Sequence, residues 1–323
     1  MKQTLPQTPS KTLPKTVSNM PPNTLPAPAP NTAPSIRDYR FVHRMRVRWV
    51  EVDMQKIVFN GHYLMYFDTA MADYWRALKL PYEAAMHQLQ GDLYVKKAGI
   101  EFHASARYDD VLDVGLKCAR VGNSSLQFTG DIFRGDERLI SCELLYVFAD
   151  PATQKSKPVP AVLRDMFTGF EAGQPMVNIK TGSWDELGTG AQQVRTEVFV
   201  QEQRIPADME WDEADAAAVH ALAVNRLGQP VATGRLLQPA TGQPGVAKIG
   251  RMAVSRVLRG SRLGRDILHA LMQAATQRGD HEVCLHAQRS AEGFYARLGF
   301  VPRGEPFDEA GIAHIEMYKR LMA

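Results

Sequence analysis

Cysteine is scarce in this 323-residue chain. The three present, Cys118, Cys142 and Cys284, are odd in number and widely spaced, so neither a disulfide framework nor a metal site is expected. That usage fits a reducing, cytoplasmic compartment. Long apolar runs are also missing, which argues against a membrane-spanning helix. Charge of one sign is nearly absent in net terms: 38 Lys and Arg stand against 35 Asp and Glu. Residues 1–36 hold three Lys and no acid, 37–175 hold eighteen of each sign, and 176–323 hold seventeen of each. Neutral halves lack the broad positive field that a phosphate backbone requires, so nucleic acid is not an expected partner. What is present, 45% apolar residues over 323 positions, suffices for two independent cores.

The first 36 residues contain nine of the twenty prolines and few large apolar side chains, so we expect a disordered tail over 1–36. Arg37 begins a different pattern. Phe41, His43, Met45, Val47 and Trp49 alternate with polar neighbours, as in a half-buried strand. A helix should follow, with Tyr63, Phe67, Ala70, Met71, Tyr74 and Leu78 on one stripe. Strands are expected over 93–106, 111–121, 125–134 and 138–149, then a short helix over 160–170. This α+β order makes 37–172 one domain, with a linker at 173–176. The remainder, 177–323, reads as mixed strands and helices: strand 176–180, helix 184–203, strands 218–226, 230–238 and 245–254, helix 261–278, strand 282–287, helix 291–298, and strands near 300 and over 312–320.

The stretch VRWVEVDMQKIVFNGHYLMYFD, with ARYDDVLDV at 106–114, resembles the signature region of hotdog-fold acyl-CoA thioesterases of the 4-hydroxybenzoyl-CoA thioesterase type. The resemblance implies a long helix wrapped by an antiparallel sheet, and Asp53 as nucleophile or base toward a thioester. A thioester also needs donors for its developing oxyanion. Asn60 and Gly61, opening the helix, would supply unpaired N–H groups there. His62 departs from the family pattern and is a candidate acid or base. Asp68, within the helix, is a second candidate carboxylate, while Asp109 and Asp110 read as turn residues. Trp49, Phe59, Tyr66, Phe67 and Trp75 are expected as core and acyl-tunnel lining. The family usually pairs its subunits, which implies a homodimer or homotetramer.

The segment Arg259-Gly260-Ser261-Arg262-Leu263-Gly264, inside IGRMAVSRVLRGSRLGRDILHALM, resembles the acyl-CoA-binding motif of the GNAT acyltransferase superfamily, with Arg262 replacing a motif glycine. Such a turn offers successive N–H groups to a pyrophosphate. Six basic residues (Lys248, Arg251, Arg256, Arg259, Arg262, Arg265) and no acid fall between 245 and 265, which reads as a local anion site. AQRSAEGFYARLGF resembles the later helix of the family, in which Tyr295 would protonate the CoA sulfur. A backbone N–H of Ala253 or Val254 would polarise the acyl carbonyl. Glu202, Glu210 and Asp212 are expected on the side of a cationic amine acceptor.

The combined expectation is a bifunctional acyl-CoA enzyme. It would hydrolyse thioesters at its N-terminal site and transfer an acyl group, such as acetyl, to an amine at its C-terminal site. Acyl-CoA is then a substrate, and no tightly bound cofactor or metal is expected. The alternatives are an acyltransferase with a hotdog oligomerisation or acyl-CoA-sensing module, and a non-catalytic acyl-CoA-binding protein.

Overall fold

A computed structural model describes residues 34–240, 242–309 and 311–321. The expectation of a disordered tail over 1–36 therefore lies, up to residue 33, outside the described residues. Ser35 caps a short 3-10 turn, Ile36–Asp38, which leads into β1 (Phe41–Arg46), α1 (Asn60–Ala77), α2 (Tyr82–Leu89), β2 (Asp92–Phe102), β3 (Val111–Val121), β4 (Ser125–Arg134), β5 (Glu137–Ala149) and α3 (Ala161–Glu171).

The five strands form one antiparallel sheet in the order β1-β3-β4-β5-β2. All six stripe residues of α1 are buried, because apolar side chains three and four apart share the face that meets the sheet. At the centre, the ring of Tyr74 meets Phe41, Phe128 and Phe170 at 5.2–5.5 Å. Its hydroxyl donates to Glu171 Oε1 at 2.5 Å. Helix α1 stops where Lys79 takes a left-handed φ of 57° and Leu80 N–H bonds back to Trp75 O at 3.1 Å, a Schellman closure.

Several expectations need correction. The first strand ends at Arg46, not near Trp49, which belongs to a 3-10 turn, Trp49–Glu51. Trp49 is 75% and Phe59 53% exposed, so neither is core. The second strand stops at Phe102, because His103 and Ala104 N–H both turn to Leu139 O. Helix α2 was not anticipated; Pro81 is its N-cap, whose nitrogen owes no intrahelical hydrogen bond.

The second sheet holds β6 (Val177–Gly182), β7 (Val219–Asn225), β8 (Pro230–Leu236), β9 (Val246–Val254), β10 (Glu282–Gln288), β11 (Val301–Glu309) and β12 (Ile312–Arg320). Its order is β11-β12-β10-β9-β8-β7-β6, antiparallel except for the parallel pair β9–β10. Helix α4 (Trp184–Arg195) widens into a π-helical stretch, Thr196–Glu202, so one continuous α-helix over 184–203 is incorrect. Two four-residue helices follow, α5 (Ala207–Glu210) and α6 (Ala214–Ala217). Helix α7 (Leu263–Arg278) buries Leu263, Ile267, Leu268, Leu271 and Ala275. The short α8 (Glu292–Ala296) carries Tyr295.

Two features of β9 open the second sheet. Thr233 pairs with Ala253 and Arg235 with Gly250, so β9 carries one extra residue there. Arg251 absorbs this bulge at φ 52°. The β9–β10 ladder also ends at Ile249–Leu285, although both strands continue, and the two splay apart.

Candidate functional site

In the N-terminal part, the Val52–Val58 bridge sets Asp53 across a tight turn from the segment entering α1. Asp53 N–H donates to Ile57 O at 2.9 Å, and its Oδ1 accepts from Gln55 N–H at 2.8 Å. One carboxylate oxygen is thus used locally. No side chain caps the N-terminus of α1, which leaves the first N–H groups there without a capping partner. Asn60 and Gly61 are exposed and His62 is half-buried. His62 Nδ1 approaches Met65 Sδ at 3.3 Å. A Cβ at Gly61 would stand 3.0 Å from Phe59 Cε1, so the exposed Phe59 ring covers this glycine.

The loop is held by Glu51, which the sequence did not single out. Glu51 is 1% exposed, and its carboxylate accepts from Tyr66 Oη (2.8 Å), Arg48 N–H (2.7 Å) and Arg48 Nε (2.8 Å). Burial pushes its pKa up, but these bonds outweigh burial and keep it below the usual carboxylate value. Its own carbonyl accepts from Phe59 N–H at 3.0 Å. Glu51 therefore fixes Asp53 relative to the start of α1.

Asp68 does not join this group. It lies eight residues beyond Asn60, about 12 Å along the helix axis, and lines a pocket of about 510 Å³ with Met71, Trp75, Tyr82, Phe128 and Tyr146. Arg76 and Val257 complete the wall. Asp109 and Asp110 sit in a turn: Asp109 has φ 68°, and Asp110 accepts from Arg107 N–H and Arg134 Nη1, both at 2.8 Å.

In the C-terminal part, the splay between β9 and β10 forms a second pocket, of about 640 Å³. Ala253, Val254, Arg259, Gly260, Arg262, Leu263, Gly264, Arg265 and Tyr295 all line it; Ser261 does not. Ser255 N–H donates to Val231 O on β8 at 3.0 Å. Backbone N–H directions alternate along a strand, so the Ala253 N–H faces β8 as well and the Val254 N–H faces the open side.

Arg262 precedes α7 at φ 73°, a conformation glycine adopts freely and other residues at a cost of about 1–2 kcal/mol. That is the physical reason a glycine suits this place. Arg262 is exposed on the rim, with no acidic partner among the described residues. Arg297, at the end of α8, also lines the pocket and was missed, because nothing in its local spacing marks it.

Tyr295 is 8% exposed and sits between the rings of Phe294 and Phe300, at 4.9 and 5.9 Å. Burial alone pushes its hydroxyl up to about 12.

The basic run is less free than its sequence implies. Arg259 makes a two-pronged pair with Glu202, at 2.7 and 2.6 Å. Arg265 pairs with Asp266, Arg251 with Glu210 and Asp212, and Lys248 Nζ contacts His286. Acids distant in sequence thus meet Arg251 and Arg259, the adjacent Asp266 meets Arg265, and a histidine meets Lys248. The same pairs change how the proposed acceptor acids read. Glu202 meets the arginine of the turn, whose charge holds it below the usual carboxylate range. Glu210 is 1% exposed and paired with Arg195 at 2.6 Å; burial pushes its pKa up. Asp212 is lowered by its bonds to Arg235.

The family described as Acetyltransferase (GNAT) domain matches residues 188–321, and Thioesterase superfamily matches 55–141. The latter segment contains Asn60, Gly61, His62 and Asp68 and begins just past Asp53. Among curated proteins, the chain is 36% identical over 127 residues to "Uncharacterized N-acetyltransferase YjcF" of Bacillus subtilis, covering 39% of this chain and 87% of that one. It is 33% identical over 132 residues to "Protein ElaA" of Escherichia coli, covering 40% and 85%. A solved structure, Slr0204, a 1,4-dihydroxy-2-naphthoyl-CoA thioesterase from Synechocystis, aligns at 18% identity over 40% of this chain and 95% of that one, with a TM-score of 0.37.

Proposed function

Because the chain belongs to the GNAT acetyltransferase family, with a thioesterase-superfamily hotdog domain in front, we propose that it is a bifunctional acyl-CoA enzyme, with domains over 37–172 and 177–323. The C-terminal domain would transfer an acyl group, such as acetyl, from CoA to an amine. The N-terminal domain would hydrolyse a thioester.

The observation that carries the transferase half is the single pocket shared by the turn at 259–265, the open side of β9 and Tyr295. Successive N–H groups at the start of α7 and the helix dipole favour a pyrophosphate. Arg262 and Arg297 add charge at the rim, and the Val254 N–H is available to an acyl carbonyl. The amine enters by direct attack on the thioester carbon, and the C–S bond breaks to release CoA as a thiolate beside Tyr295. With Glu210 and Asp212 tied to arginines, deprotonation of the amine falls to water.

For hydrolysis, Asp53 beside the uncapped start of α1 supplies a base or nucleophile next to oxyanion donors. A second reading, with Asp68 as the working carboxylate, is favoured by its place on the apolar pocket. Asp53→Asn and Asp68→Asn decide between them when free CoA is followed with a panel of acyl-CoAs and no amine. We expect D53N to lose about 10²–10⁴-fold in hydrolysis. Unchanged hydrolysis in D53N removes Asp53 from the chemistry. No hydrolysis in the wild-type chain leaves the hotdog domain as an assembly or sensing module.

A second copy of the chain is the proposed partner of this domain. Trp49, Val50, Met54, Phe59, Phe102 and Tyr108 are all more than half exposed, an apolar set larger than scattered surface residues explain. Sedimentation should give a dimeric or tetrameric mass, and a monomer at micromolar concentration would refute this.

A further inference from the structure

The last turn of α1 touches the anion-binding turn of the acyltransferase. Lys79 Nζ donates to Ser261 O, and Arg76 Nε donates to Val257 O at 3.1 Å. Lys79 is not a loose surface lysine. It occupies the left-handed position that closes α1, at φ 57°, where glycine would be less strained. Its carbonyl accepts from Asn225 Nδ2 at 3.0 Å. Asn225 is 4% exposed and is itself fixed by Leu227 N–H, Gln229 N–H and the Gln229 side chain, at 2.9–3.0 Å. One residue of the hotdog domain therefore bridges the β7–β8 turn and the turn before α7.

We propose that Lys79 is a positioning residue of the acyltransferase, which pins the Ser261 carbonyl and so aims the N–H groups that follow it at the CoA pyrophosphate. This rests on the acyltransferase reading above. The peptide after Ser261 is that of Arg262, whose left-handed backbone needs support from outside the turn. A cation on the Ser261 carbonyl provides it, while also placing positive charge on the side of the turn away from the ligand. Desolvation lowers the pKa of Lys79, and the nearby Arg262 and Arg265 act in the same direction, while Asp266 opposes them.

The test uses the full chain. Calorimetry with coenzyme A should show Kd raised about tenfold in Lys79→Met, the size of one charge-assisted hydrogen bond, and within about threefold of wild type in Lys79→Arg, which keeps the charge. The KM for S-acetylpantetheine, which lacks the pyrophosphate, should be unchanged in both, a readout that general damage to the domain would move. Should K79M fail to fold, Lys79→Gln serves in its place. A K79M chain that binds coenzyme A like wild type overturns the inference, as does an equal loss for both ligands. A wild-type chain that does not bind coenzyme A overturns the acyltransferase reading itself.

Discussion

Replacing Arg195 with Ala should destabilise the acyltransferase domain by about 3–5 kcal/mol, the cost of leaving buried partners without their counter-charge. Arg195 is 1% exposed. It donates to Glu210 Oε1 at 2.6 Å, Asp215 Oδ1 at 2.8 Å and Glu210 O at 2.8 Å. Its guanidinium also lies over the rings of Trp211 and Trp184, at 4.6 and 5.7 Å. Asp215 is shared with Arg235 at 2.7 Å, and Arg251 reaches Glu210 at 3.2 Å, so the loss would spread through a network of three arginines and three acids. An exposed pair of the same geometry would contribute no more than about 1 kcal/mol. Denaturant unfolding followed by tryptophan fluorescence reads the effect, since two of the four tryptophans stack on the missing group. A loss below about 1 kcal/mol would show that the network is structurally idle. Arg195→Lys should recover only part of the loss, because an ammonium cannot serve two acids and a carbonyl in one plane.

The second large effect concerns Tyr295→Phe, which should lower kcat for acyl transfer by about 10²–10³-fold while leaving KM for the acyl-CoA within about twofold. The size follows from what a hydroxyl raised to about 12 can do. A thiolate whose conjugate acid has a pKa of about 8.5 is a weaker base than the phenolate by some 3.5 powers of ten, so full proton transfer to the sulfur is uphill by about 5 kcal/mol. Tyr295 therefore acts by donating a hydrogen bond to the thiolate as charge develops, with the proton held mainly on oxygen. Because the phenol stays protonated until about pH 12, its ionisation should produce no fall in kcat between pH 7 and 10. A Y295F enzyme of wild-type kcat would remove the tyrosine from the leaving-group site.

The parts of this protein that were legible in its sequence are those governed by periodicity. The α1 stripe follows from side chains three and four apart, and the turn before α7 from its glycines and arginines. What escaped depends on contacts distant in sequence. Glu202, Glu210 and Asp212 look like acceptor-side acids until Arg259, Arg195 and Arg235 fold against them. Trp49 and Phe59 read as core because large aromatics usually bury, yet both face outward. The bulge at Arg251 left no mark, since an arginine at positive φ is a demand of the β8–β9 register and not a preference of the residue. Glu51 is two residues from Asp53 and reads as one more loop acid until Tyr66 and Arg48 close around it.

The short turn Arg256–Leu258 has Val257 in the wall of the hotdog pocket and Leu258 in that of the acyltransferase pocket. Two adjacent residues of one 3-10 turn thus face different pockets. An occupant that displaced Val257 far enough to shift the turn would also move Leu258, and by linkage the free energy of such a coupling would be equal in both directions. Two chambers joined by such a turn would share a free energy even with no acyl group passing between them.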